Sequence, residues 1–175
     1  MLEAQFPKTA EAELELLAHH YTEAGLNSQA VHYWHHAGQQ ASERSAYVEA
    51  VAHLTKGLEV LQTLSDIPAR VLSELEMQLM LGQALAVTQG AGAPEVGQAL
   101  ARARELCHQV GDASQLLRVL GGLGRFYRQR GEHHKGLEVS EQHLVLAQRQ
   151  HDAVRLMEAY GNMGVHAGWL TKRIN

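Results

Sequence analysis

Apolar residues recur at three- and four-residue spacing along almost the whole chain, and no stretch alternates apolar with polar residues as a half-buried strand does. The pattern predicts eight helices, at roughly 11–24, 28–44, 47–64, 68–89, 94–109, 113–130, 133–150 and 152–170, with ends uncertain by about two to four residues. The breaks have local causes. Gly25 with Asn27-Ser28, Ser65-Asp66 before Pro68, Gly111-Asp112 and Gly131-Glu132 combine helix-ending glycines with residues that cap or open the next helix. Gln89-Gly90-Ala91-Gly92-Ala93-Pro94 is the most flexible stretch by composition. Loops this short between helices this long require antiparallel neighbours, so successive hairpins stack side by side.

The helices also repeat one another. Leu17-Ala18-x-x-Tyr21 is followed by Ala30-x-x-x-Trp34-x-x-Ala37, Leu81-Gly82-x-x-Leu85 by Leu100-x-x-Ala103, and Leu123-Gly124-x-x-Tyr127 by Gly136. Met163-Gly164-x-x-Ala167 opens a unit whose second helix does not follow. The expected packing positions are thus Ala18, Tyr21, Ala30, Trp34, Ala37, Gly82, Gly124, Tyr127 and Gly164: a small residue lets a neighbouring backbone approach, and a large one fills the space beside it. The small positions 18, 38, 82, 124 and 164 are spaced by 20, 44, 42 and 40 residues, so the helix over 28–44 serves both the first repeat and the second. These spacings exceed the 34 residues of a tetratricopeptide repeat and approach those of HEAT repeats, while the Leu-Gly-x-x-Tyr and Ala-x-x-x-Trp-x-x-Ala signatures favour the former. The expected fold is an all-α solenoid of stacked antiparallel hairpins, TPR-like, with HEAT-like packing as the alternative.

Composition narrows the function. The chain has 175 residues, 45% hydrophobic and 19% charged, as expected of a globular domain. A net charge of −4 argues against general nucleic-acid binding, and no apolar run approaches the roughly 20 residues of a membrane span. The start MLEAQFPKTAEAELELL carries acids where a secretory signal carries bases, which points to the cytoplasm. The single cysteine, Cys107, reads as a small buried hydrophobe, and its neighbour His108 points about 100° away on the helix, which excludes a nucleophile–base pair.

Twelve histidines invite a metal reading. His32 and His36 share a helix face, with His35 beside them and His19-His20 on the adjoining helix, but no further ligand motif completes a site. A metal-binding protein is therefore a remote alternative, and neither a metal nor a cofactor is expected. His133-His134 opens a helix with no assigned role. Gly121, Gly122 and Gly124 lie inside a helical pattern with no preceding strand, unlike a phosphate loop.

Taking the first helix of each hairpin as the lining of a concave groove selects His19, Thr22 and Glu23, then Glu76, Leu79 and Gln83. Arg118, Arg125, Arg128 and Gln129 follow, then Glu158, Val165 and Trp169. Arg118, Arg125 and Arg128 fall near one helical stripe, a geometry suited to a partner's carboxylate or phosphate; the competing expectation is ordinary pairing with nearby acids. Trp169 and the unpaired last helix present an end-surface through which the chain could form a homo-oligomer.

The runs LLAHHYTEAGL, QAVHYWHHAGQQA, YVEAVAHLTKGLEVL, APEVGQALARARELC and LGRFYRQRGE, in this order, resemble the tetratricopeptide region of bacterial signalling proteins. In these a class III adenylate or guanylate cyclase domain precedes an AAA/STAND ATPase and then the repeats. The resemblance spans nearly the whole chain and implies residues 1–10 as a linker from a preceding domain, 11–170 as the repeats and 171–175 as a tail after an incomplete last repeat. It implies a protein-binding, signal-transduction role beside neighbouring ATPase and cyclase domains. The chain itself carries no G-x-x-x-x-G-K-[ST] loop, so nucleotide chemistry does not transfer to it and no catalytic residue is expected. The leading expectation is a non-catalytic interaction and sensing scaffold that holds a protein or peptide in its groove, with self-assembly as the alternative.

Overall fold

A computed structural model describes residues 7–64 and 68–172, and among them the chain is all-helical. The order is α1 (Pro7–Glu23), α2 (Asn27–Glu43), α3 (Tyr47–Leu61), α4 (Pro68–Thr88), α5 (Pro94–Val110), α6 (Ala113–Gln129), α7 (His133–Gln150) and α8 (Ala153–Lys172). Residues 7–10, expected in a linker, form the first turn of α1. Ser65-Asp66, expected to end α3, and the tail residues 173–175 lie outside the described residues.

One turn chemistry recurs. Leu26 N–H donates to Tyr21 O, Ala46 to Ala41 O, Glu132 to Tyr127 O and Asp152 to Ala147 O, each bond spanning five residues. The residue before each donor is left-handed, with φ of 69° at Gly25, 61° at Ser45, 69° at Gly131 and 53° at His151. This is the Schellman closure, which satisfies a helix's last carbonyls and reverses the chain within three residues. Only two of the four are glycine, so the repeat preserves the bond and not the residue. Asp112 starts α6 differently, its carboxylate accepting from the N–H groups of Ser114 and Gln115 at 3.0 and 2.9 Å.

The chain divides into two compact units, residues 1–88 and 89–175. In the first, α1 packs on α2, α2 on α3 and α3 on α4, and α2 also touches α4. Trp34 of α2 is the centre, packed with Ala18, Leu54, Leu58 and Met77. Gly57 of α3 makes room: a Cβ there would run into the end of Met77 and meet Trp34 Cβ at 3.0 Å. Beside it Ala41, Ala50 and Ala84 bring α2, α3 and α4 close together.

The second unit repeats the scheme: α5 packs on α6, α6 on α7 and α7 on α8, while α6 also touches α8. Leu106, Leu117, Val119 and Leu120 form an apolar interior between α5 and α6. Toward α8 the interior turns polar, with Ser140, His143, Asn162 and His166 all buried. In each unit, therefore, alternate helices are direct neighbours, as stacked hairpins require.

Candidate binding surfaces

The residues expected to line a groove separate into those that serve packing and those that remain accessible. On α1, His19 sets its ring edge against Trp34, with centroids 4.8 Å apart. Thr22 Oγ1 accepts from Trp34 Nε1 at 3.1 Å and donates to Ala18 O at 2.7 Å. Both side chains fix α1 to α2, while Glu23 is exposed. On α4, Glu76 and Gln83 are exposed but Leu79 is 3% exposed and belongs to the core. Of the helices before it, α4 meets α2 as well as α3, and Glu76 lies 3.9 Å from His35 of α2.

On α6, Arg118 donates to Gln115 at 2.8 Å. Arg125 pairs with Glu158 of α8, which also accepts from Arg155 at 2.8 Å. Arg128 is half-buried and, among the described residues, has neither hydrogen bond nor ion pair; Gln129 is exposed. Two of the three guanidiniums therefore already have partners. Such pairs are worth about 1 kcal/mol or less at a surface, so an incoming anion can compete for Arg125 at small cost.

Of the packing positions, Ala18, Ala30, Trp34, Ala37, Gly82 and Gly124 are buried, and Tyr21 and Tyr127 are partly so. A Cβ at Gly124 would meet Asn162 Nδ2 at 2.8 Å, the close approach that makes glycine necessary there. Gly164 differs. It is exposed, and among the described residues nothing lies within 4 Å of a Cβ there.

An open groove of about 560 Å³ lies between α5 and α7, above α6. Leu116, Leu120 and Val145 supply an apolar floor. Arg104 crosses it to donate to Gln142 at 2.8 Å, while Glu138 and Arg149 mark acidic and basic positions along α7. Val145 is 48% exposed. Its exposure depends on the space the helices on either side leave, which no residue pattern shows.

Also missed is a buried histidine seam between α7 and α8. His133, Gly136, Ser140, His143 and Ala147 recur at helical spacing on the buried face of α7 beside Val139, so most of its core stripe is small or polar and gives little apolar periodicity. The ring of His166 fills the space above Gly136, its Nε2 lies 3.2 Å from Gly124 O and its Nδ1 3.3 Å from His133 Nδ1. His133 stacks on Trp169 at 4.8 Å. His143 has no exposed surface, and neither ring nitrogen has a hydrogen-bond partner. Burial pushes the imidazoles of His143 and His166 below the usual histidine range; the Gly124 carbonyl opposes this at His166, and Glu158 opposes it at His143.

His32 and His36 do approach, with ring centroids 4.4 Å apart, but among the described residues no three His, Cys, Asp or Glu side chains converge as metal ligands. Cys107 is buried, and desolvation raises its thiol to about 11. It is a packing residue rather than a nucleophile. No described helix is long and apolar enough to cross a membrane. What the fold defines is an all-α protein of stacked helical hairpins. No protein-family model matches the chain, and no curated protein matches it.

Proposed function

We propose that the chain is a non-catalytic interaction and sensing scaffold, the tetratricopeptide-like repeat portion of an ATPase-linked adenylate or guanylate cyclase or a related bacterial, cytoplasmic signalling regulator. The observation that carries the reading is the groove over α6, an apolar floor with charged edges built on three packed helices. That combination suits a protein or peptide segment, with apolar contacts supplying affinity and the edge charges fixing orientation. Arg125 and Arg128 lie outside the lining of this groove and offer a separate contact on α6 for an acidic group. Occupancy would change the packing of α5, α6 and α7 and thereby bias an attached ATPase between its states.

The test is a pull-down with the intact chain as bait, followed by titration of the captured protein. Val145→Asp with Arg149→Glu should weaken binding at least tenfold while helicity stays constant. Arg125→Glu with Arg128→Glu should do the same if the partner's acid reaches α6. Undiminished affinity in the first pair rejects the groove, and in the second the arginine contact. Self-assembly is the second reading, favoured by the uncovered face of α8.

A further inference from the structure

The groove over α6 carries opposite charges at its two ends. Phe126 lies over Gly97 and Leu100 over Gly122, so α5 runs antiparallel to α6. The turn at Gly131 reverses the chain again, and α5 and α7 therefore run in the same direction on either side of α6. Both walls end where α6 begins. His108 of α5 and Arg149, in the last turn of α7, stand at that end, and Glu138 and Glu141 stand at the other. Glu138, Glu141 and Arg149 are exposed, and among the described residues none of them has a hydrogen bond or an ion pair. Arg104, between the two ends, donates to the neutral Gln142 and forms no ion pair with either acid. Arg149 follows Glu141 by eight residues and Glu138 by eleven, about 12 and 16 Å along the axis, too far to pair with either. Both signs of charge are thus open to a partner, with Leu116, Leu120 and Val145 between them.

The floor decides the partner's conformation. An extended segment laid on Leu116, Leu120 and Val145 would lose water from its own N–H and C=O groups, and no sheet edge among the described residues could pair them. A helix pairs these groups internally and sets a row of apolar side chains, three and four residues apart, onto the floor. The charges decide its direction. Acids are favoured in the first turn of a helix and bases in the last. Such a helix brings its acid to Arg149 and its base to Glu138 and Glu141 only by starting where α5 and α7 end. Its positive dipole end then lies beside the negative ends of both walls. Laid the other way, its acids would face Glu138 and Glu141 and its dipole would run parallel to both walls.

We infer, on the strength of the groove reading proposed above, that the occupant is an amphipathic helix of a partner protein running antiparallel to α5 and α7. Its apolar face rests on Leu116, Leu120 and Val145, an acid near its start meets Arg149, and a base about eight to eleven residues later meets Glu141 and Glu138. The partner is thereby specified by conformation, direction and charge order.

The probe is a displayed library of random peptides of about 16 residues, long enough for four helical turns, panned against the intact chain. Enriched peptides should bind Val145→Asp roughly tenfold more weakly or worse and place an acid before, and a base after, apolar residues at helical spacing. Arg149→Glu should weaken such a peptide by a similar factor, and changing the peptide's acid to lysine should restore binding to that variant. Direction is read by disulfide formation with Gln150→Cys, at the Arg149 end of α7, since the native Cys107 is buried. A cysteine ahead of the peptide's acid should link, and one after its base should not. Peptides that Val145→Asp releases but that are extended, carry the reverse charge order or link through their C-terminal cysteine overturn this inference and leave the groove reading standing. If no peptide is enriched, or none is released by Val145→Asp, the groove reading fails and the inference fails with it.

Discussion

A fully buried imidazole without a hydrogen-bond partner can stay in a folded protein only as the neutral form. His143 is in that position, with Glu158 and Asp152 favouring its charge and Arg155 and Arg125 opposing it. His166 faces the Gly124 carbonyl, His133 and Arg128, and it too is displaced downward, chiefly by burial. His35 and His53 of the first unit shift the same way. Each takes up a proton more readily when unfolded. Stability is therefore at its full value above the unfolded histidine range near pH 6.5 and falls as pH drops through the lower folded values. Denaturant midpoints measured from pH 7.5 to pH 5 should decline accordingly. His143→Leu should flatten part of that decline and cost little at pH 7.5, because it removes a polar group that no partner satisfies. An unaltered pH slope in His143→Leu would show that His143 does not contribute.

At the scale of the helices, the pattern of apolar positions located all eight, with most ends within one or two residues of those observed. Their boundaries were legible because they depend on local chemistry: Pro94 at the start of α5, Gly111 after α5, Asp112 before α6. Asp112→Ala should remove both bonds to the first turn of α6 and lower stability by about 1 kcal/mol in denaturant titration. A loss under a few tenths would mean that packing alone fixes the helix start. Less legible was which helix neighbours which. His19 and Thr22 carry polar groups at helical positions suited to a groove, yet both are held by Trp34, a contact set by the angle between α1 and α2. The three arginines of α6 were visible as a stripe, but Glu158, which takes Arg125, comes from a helix 33 residues further on. The buried face of α7 combines Val139 and Ala147 with His133, Gly136, Ser140 and His143, so the helix was legible but its polar interior was not.

For the molecule as a whole, the all-α stack follows from periodicity and repeated small residues, whereas the groove over α6 depends on where three helices leave space. A cavity is a property of separations, and no residue type announces it. Division into two compact units has a practical consequence through the two tryptophans, one in each. Trp34 is 2% exposed with its indole N–H bonded to Thr22, while Trp169 is 53% exposed against His133. Each unit thus carries its own native optical reporter, one shielded and one open. Acrylamide should quench the red-shifted emission of Trp169 and spare the blue emission of Trp34. Equal quenching of both would contradict the burial of Trp34. Read together through a denaturant titration, the two signals follow the two units separately without any label.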